Sequence, residues 1–395
     1  MTSLASGPAT DPLGPAGAHL AAATARPAVQ QPEWPDPQRA AAVRRALALM
    51  PPLVTAQEVQ GLQSLLAGVA RGEALVVHGG DCAETFDGNT REHLAGNLET
   101  LDAVADVLGG AATPVVRIAR MAGQYAKPRS NPVDAAGLPV YRGDIVNSAT
   151  GTRAARAADP QRMLRAYADA ASVLDRMRTG PHEVFAGHEA LLLDYESALV
   201  RRSGAGWFGG SGHFLWIGER TRHADGAHVA LLGLVDNPVG IKLGPGATPA
   251  EVLSYLRQLD PCRIPGRVSL IVRMGAERVA ERLPPILAAV AATGHPVVWL
   301  SDPLHANTET TGSGLKTRRL SRVLAEVRSY AAAHRAVGTH PGGLHLELTG
   351  DDVAECVGGA IAPGDLGERY LTACDPRLNR AQAVEVAAAA AHEFA

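Results

Sequence analysis

Seven short apolar runs end in residues able to do chemistry: "ALVVHGGDC" in Cys82, "PVVRIARMAG" in Arg120, "HFLWIGERTR" in Glu219 and Arg220, "PVGIKLGP" in Lys242, "VSLIVRMG" in Arg273, "PVVWLSDP" just before His305, and "GLHLELTG" in Glu347. Two chemistries are mixed here. Arg120, Arg220, Lys242 and Arg273, with Lys127 and Arg129 in "QYAKPRS", carry more positive charge than one anionic group needs. Arginine forks suit carboxylate and phosphate oxygens, while lysine adds a movable proton donor. Cys82, His305, Glu347 and Asp375 offer a thiolate, an imidazole and two carboxylates. That mixed set suits a borderline divalent cation, Mn2+ or Co2+ first, with Zn2+ or Fe2+ as further candidates. His345 shares a strand face with Glu347 and is an alternative donor or a supporting group. A single charge at a strand end is as readily a cap or a structural ion pair; seven require a fold that brings the ends together.

The lysines sharpen the question. Of 37 basic residues only Lys127, Lys242 and Lys316 are lysine. Coding bias explains the arginine excess, which leaves the three surviving ammonium groups informative.

The runs themselves have the length and composition of buried strands, interleaved with helix-like segments. An eighth, "ALLLDYE" (190–196), completes the set. Eight strands alternating with helices predict an α/β chain with a (β/α)8 TIM barrel, whose catalytic groups lie at the C-terminal strand ends. An open doubly wound sheet is the alternative. Residues 1–33, rich in Ala, Gly, Pro and Thr, read as a disordered tail. Residues 34–72 read as an N-terminal helical extension: Asp36 and Pro37 open one helix, and Thr55 with Glu58 forms a capping box for the next. Residues 73–395 are assigned to the barrel.

Composition excludes several classes of function. A net charge of −3 with 4% aromatic residues gives neither the basic field nor the stacking platform of a nucleic-acid binder. No apolar run is long enough for a membrane span. Four scattered cysteines without a CxxC pair suit a reducing, cytoplasmic setting. "GAGWFGG" matches GxGxxG but precedes a strand, and "GSGLKT" lacks the P-loop order. His223 and His228 read as solvated loop residues.

The motifs "GGDCAE", "RMAGQYAKPRS", "YRGDIVN", "HEALLLDYE", "WIGERTR", "NPVGIKLGP", "RMG", "SDPLHANT", "HLELTGDD" and "CDPRLN" resemble, in order, those of the type II (plant-like) 3-deoxy-D-arabino-heptulosonate 7-phosphate (DAHP) synthases. The resemblance covers roughly residues 34–390; His78 replaces the usual Gln, and Leu304 and Ala306 replace Met and Gly. It implies a metal-dependent transferase that condenses phosphoenolpyruvate with erythrose 4-phosphate at the start of the shikimate pathway, working as a homodimer or higher homo-oligomer. By the same resemblance Cys82, His305, Glu347 and Asp375 hold the metal. Arg220, Lys242 and Arg273, beside Glu219, take the phosphate of phosphoenolpyruvate, and Arg120 takes its carboxylate. Arg129 and Ser130 take the sugar phosphate, Lys127 delivers a proton to the new alkoxide, and Lys316 stands near the metal-side loop. Longer members carry an extra helical segment, associated with binding aromatic amino acids, where this chain has only "TGPHEVFA" (179–186). Rival readings are an enzyme of secondary metabolism acting on an aminated tetrose phosphate, a generic metal-dependent aldolase, and a non-catalytic regulator that binds phosphometabolites.

Overall fold

In the computed structural model, residues 15–204 and 206–395 are described. Short β-branched and aliphatic runs form eight strands: β1 (Leu75–Gly80), β2 (Val115–Arg120), β3 (Phe185–Glu189), β4 (Phe214–Ile217), β5 (Val239–Leu243), β6 (Val268–Val272), β7 (Val298–Ser301) and β8 (Gly343–Glu347). They pair in parallel as a closed barrel in the order β1-β8-β7-β6-β5-β4-β3-β2. Helices wrap the outside, among them Arg162–Arg178, Val279–Thr293, Leu320–Val337 and Arg380–Phe394. Register then sets the site. Gly80 pairs with both Arg120 and Glu347, so these two side chains flank β1 at one height.

Among the described residues three helices precede the barrel, α1 (Pro15–Thr24), α2 (Pro37–Leu49) and α3 (Ala56–Ala70). Leu62, Leu66 and Val69 of α3 follow helical spacing and are buried with Val76, Val116, Phe185, Phe214 and Val298. They close the end of the barrel opposite the reactive strand ends.

Three expectations need correction. The third strand is Phe185–Glu189, and Leu193–Ala198, which begins within "ALLLDYE", is a helix. A short apolar run cannot by itself tell a buried strand from a buried helical turn. Gly187 also hides the strand's inward face, because a Cβ there would lie 3.1 Å from His78 Nε2; the His78 ring occupies the space. Second, the tail reading fails for residues 15–33, while residues 1–14 lie outside the described residues. Besides forming α1, this segment binds the barrel loops: Ala227 N–H donates to Pro27 O (3.0 Å), and Gln31 Nε2 donates to Leu191 O (2.8 Å). Third, His228 is buried in the helix Ala227–Leu234, with Nε2 3.0 Å from Leu191 O.

Candidate active site

The C-terminal strand ends surround a cavity of about 420 Å³. Arg120, Lys127, Arg129, Ser130, Glu219, Arg220, Lys242, Arg273, His305, Lys316 and Asp375 all line it. Cys82 and Glu347 are buried behind its wall. Every candidate named from sequence is thus gathered at one place.

The metal-donor set is compact on one side. Ligand atoms of Cys82, Glu347 and Asp375 lie within 4.8 Å of one another. His305 stands just outside that mutual cluster, with Nε2 3.0 Å from Glu347 Oε1. Its other nitrogen faces Asp302, 2.8 Å from Oδ2, which fixes the ring with Nε2 toward the donors. Lys127 Nζ lies among the anions, 2.9 Å from Asp375 Oδ2, 3.4 Å from Glu347 Oε1 and 3.3 Å from Cys82 Sγ. Burial alone would lower the Lys127 ammonium, but Asp375, Cys82 and Glu347 outweigh it and hold the group above the ordinary lysine range. Burial, then the neighbouring Cys374 thiol, pushes the Cys82 thiol up. A divalent cation reverses that preference, so ligation would release a proton. One soft and several hard donors converging in a buried, anionic corner fit a borderline divalent ion.

Sequence reasoning missed the groups that hold this set in place. Glu347 Oε2 accepts from buried Arg318 (2.7 Å), while Asp302 bridges Lys242 and His305. Glu84 accepts from the backbone N–H groups of Ala122 (2.9 Å), Gly123 (2.9 Å) and Gln124 (2.7 Å). Ala122 has a left-handed φ of 61°, which costs a non-glycine residue about 1–2 kcal/mol. Those three bonds offset the strain and aim the loop that carries Lys127. Burial raises Glu84 to about 7 despite them. Glu326 does the same after β6, accepting from Met274 N (3.0 Å) and Gly275 N (2.8 Å). No local spacing announces these carboxylates, because each serves a loop distant in sequence.

Several candidates sit differently from a bare reading of their roles. Arg120 donates from Nε to Asp81 O (3.1 Å) and from Nη2 to Glu347 Oε1 (3.1 Å), and its Nη1 lies 2.6 Å from His345 Nε2. A guanidinium only donates, so His345 Nε2 accepts, and His345 Nδ1–H donates to His78 Nδ1 (2.9 Å). His345 is therefore a support for Arg120. Burial, reinforced by nearby cations, keeps both imidazoles well below the ordinary range and hence neutral. Glu219 has one oxygen on Arg222 (3.0 Å) and the other on Gly244 N–H (2.7 Å), which makes it a tie between loops. Arg220 Nη2 donates to Ser130 Oγ (2.9 Å), joining two groups assigned to different substrates. Arg129 N–H donates to Gln30 Oε1 (2.8 Å), so the N-terminal segment braces this loop. Lys316 Nζ reaches Asp375 Oδ1 (2.7 Å) from a hairpin of Thr308–Thr310 and Lys316–Arg318.

The sequence matches the Class-II DAHP synthetase family over residues 19–183 and 179–391. It is 45% identical over 431 residues to phospho-2-dehydro-3-deoxyheptonate aldolase AroG of Mycolicibacterium smegmatis, covering 93% of each chain. It is 45% identical over 423 residues to the phospho-2-dehydro-3-deoxyheptonate aldolase of Streptomyces coelicolor, covering 91% of this chain and 94% of the other. A probable phospho-2-dehydro-3-deoxyheptonate aldolase of Pseudomonas fluorescens is 43% identical over 371 residues, covering 90% and 93%. The first two alignments exceed the 395 residues of this chain, so those relatives hold segments that it lacks. A solved structure of phospho-2-dehydro-3-deoxyheptonate aldolase from Francisella tularensis SCHU S4 shares the fold, with a TM-score of 0.56 at 12% identity over 89% of this chain and 96% of that one. With the family match spanning nearly all the described residues, the chain belongs to the class-II DAHP synthetase family.

Proposed function

We propose that the chain condenses phosphoenolpyruvate with erythrose 4-phosphate and water, giving DAHP and phosphate, the first step of the shikimate pathway. One observation carries this reading. A single cavity is lined by two sets of anion-binding groups, Arg120, Lys242 and Arg273 in one and Arg129, Ser130 and Lys316 in the other, with Lys127 joined to the first through Glu347 and to the second through Asp375. Two anionic substrates need such an arrangement; a generic aldolase with one phosphate needs half of it. The retained donor set and Lys127 also speak against a purely regulatory binder.

In this scheme Lys242, Arg273 and Arg220 hold the phosphate of phosphoenolpyruvate, and Arg120 its carboxylate. Arg129 and Ser130 hold the tetrose phosphate. Cys82, His305, Glu347 and Asp375 would hold Mn2+ or Co2+, which supplies Lewis acidity toward the aldehyde oxygen. The enol carbon C3 attacks the aldehyde, and Lys127 Nζ protonates the alkoxide that forms. Positioning two mutually repelling anions accounts for much of the catalysis.

The test is phosphate release from phosphoenolpyruvate with erythrose 4-phosphate, run beside an aminated tetrose phosphate, with and without chelator. Release with erythrose 4-phosphate, lost on chelation and restored by Mn2+ or Co2+, is expected. Full activity in rigorously metal-free protein would sink the metal assignment, and preference for the aminated substrate would replace the tetrose.

A further inference from the structure

A buried ion cluster adjoins the metal donors without entering the substrate cavity. Asp81 precedes Cys82, and Arg377 follows Asp375 by two residues. With Glu355 they are buried, and none of the three lines the cavity. Arg377 spans the two acids: Nη1 donates to Asp81 Oδ1 (2.6 Å), while Nε and Nη2 donate to the two oxygens of Glu355 (3.1 and 2.8 Å). Glu355 also accepts from the backbone N–H groups of Leu371 (3.1 Å), Thr372 (2.8 Å) and Arg377 (2.7 Å). It therefore grips both sides of the turn that carries Asp375. Asp81 is anchored in the same way, its Oδ2 accepting from Asn97 Nδ2 (2.9 Å) and lying 2.7 Å from His93 Nε2, both on the helix Arg91–Gly109.

The donors do not favour their own arrangement. Cys82 and Asp375 are 293 residues apart in sequence, yet Asp375 N–H donates to Cys82 Sγ (3.1 Å). Ligand atoms of Cys82, Glu347 and Asp375 lie within 4.8 Å of one another, and like charges at that spacing push their segments apart. Lys127 offsets part of that repulsion. The guanidinium of Arg377 supplies a mechanical tie, joining the end of β1 to the segment 371–377. Just beyond it, Leu378 N–H donates to Glu347 O (3.0 Å), which brings in the end of β8.

We propose that Arg377 is a positioning residue for the metal centre: with Asp81 and Glu355 it forms a strut that holds Cys82 and Asp375 at ligating distance before the cation arrives. This rests on the metal assignment proposed above. A site assembled in advance binds its ion without first ordering two distant segments, so the strut raises metal affinity while supplying no ligand. The planar fork is essential, because it fixes both the distance and the angle between two carboxylates. A lysine ammonium is a point charge on a flexible stem and fixes neither.

The test uses Co2+ as the probe, titrated into metal-free full-length protein. The thiolate-to-cobalt absorption band reports Cys82 directly. Arg377→Lys should bind Co2+ about 10–100-fold more weakly and give a weaker band per bound ion. Phosphoenolpyruvate binding, followed by calorimetry without metal, should stay within about twofold of wild type, since Arg120, Lys242 and Arg273 sit on other elements. Asp81→Asn cuts the other arm of the strut and should cause a similar loss. The double variant should be no worse than the weaker single one, because one strut breaks only once. Co2+ affinity within about threefold of wild type in Arg377→Lys would overturn the proposal. So would losses that add in the double variant, or a matching loss of phosphoenolpyruvate affinity, either of which marks ordinary packing. If Arg377→Lys does not fold, Asp81→Asn decides by the same threefold limit. Wild-type protein that binds no Co2+ would sink the metal assignment instead, so the two failures are distinguishable.

Discussion

The two ends of the cavity hold their cations by different means. At the end proposed for phosphoenolpyruvate, Arg120 and Lys242 sit on barrel strands and Arg273 directly follows β6, with Asp302 fixing Lys242 and Glu347 fixing Arg120 from the wall. At the end proposed for the tetrose phosphate, Arg129 and Ser130 sit on a long loop and Lys316 on a hairpin edge. The side chain of Lys316 is 43% exposed, against 5% for Lys242. Strand-borne groups are already ordered before a ligand arrives, so little conformational freedom is lost on binding. Loop-borne groups need bracing from elsewhere, which Gln30 and Arg220 provide. On the proposed assignment, the groups for phosphoenolpyruvate sit on the barrel and those for the sugar phosphate on connecting segments.

Lys127 lies at the seam, and its replacement should have the largest effect. Lys127→Arg keeps the charge but loses a usable proton donor, so turnover should fall about 10²–10⁴-fold with both KM values much less affected. Near-normal turnover would leave Lys127 only an electrostatic part. The next test separates the two ends by pH. Burial, reinforced by Arg120 and Arg273, lowers Lys242 to about 8, with Asp302 acting in the opposite sense. Lys242 is therefore cationic below about 8 and loses its charge as pH rises through that value. A guanidinium does not titrate in this range. Above pH 8, kcat/KM for phosphoenolpyruvate should drop while KM for the tetrose phosphate stays level. A parallel loss at both ends would show that they are not independently built.

Gln30→Ala should act at the tetrose end alone. Removing one neutral hydrogen bond is worth about 0.5–1.5 kcal/mol, so KM for the tetrose phosphate should rise roughly 2- to 12-fold, with phosphoenolpyruvate unaffected. Gln30 has a left-handed φ of 64°, and Gln30→Gly, which relaxes that backbone, should behave as Gln30→Ala does. Recovery in the glycine variant would assign the effect to the backbone. The smallest effect is expected from aromatic amino acids. The helix before β3 ends at Arg178 and the strand begins at Phe185, leaving residues 179–184 as the connector. The two family matches meet at residues 179–183, in that connector. So few residues cannot build a helical pair with its own pocket. Phenylalanine, tyrosine and tryptophan, singly or in pairs, should each leave steady-state turnover unchanged; strong inhibition at sub-millimolar concentration would reveal a site elsewhere.

The sequence was most readable where one residue both ends a strand and carries charge. Seven of the eight strands lie within their expected runs, and with them came Cys82, Lys242, Arg273 and Glu347. β3 was displaced because its inward position is Gly187, beneath a ring supplied by β1. That displacement hid Glu189, which looked like an ordinary polar residue before a strand. Glu84, Asp302 and Glu326 were silent for another reason. Their partners are backbone amides or side chains brought close only by the closed barrel. Gln30 and Gln31 lay in a stretch whose bulk composition resembles disorder, although a few specific hydrogen bonds outweigh composition there.

The docking of that stretch also orders events during synthesis. Gln30 waits for residue 129, Gln31 for residues 191 and 193, and Pro27 for residue 227. At about 5–20 residues per second, the last of these partners is made roughly 10–40 seconds after Pro27. Early-made residues therefore remain unpaired while the first half of the barrel emerges, and closing such long loops carries an entropic cost. The outer rim of the cavity is finished late, after the strands that hold its inner end are already in place.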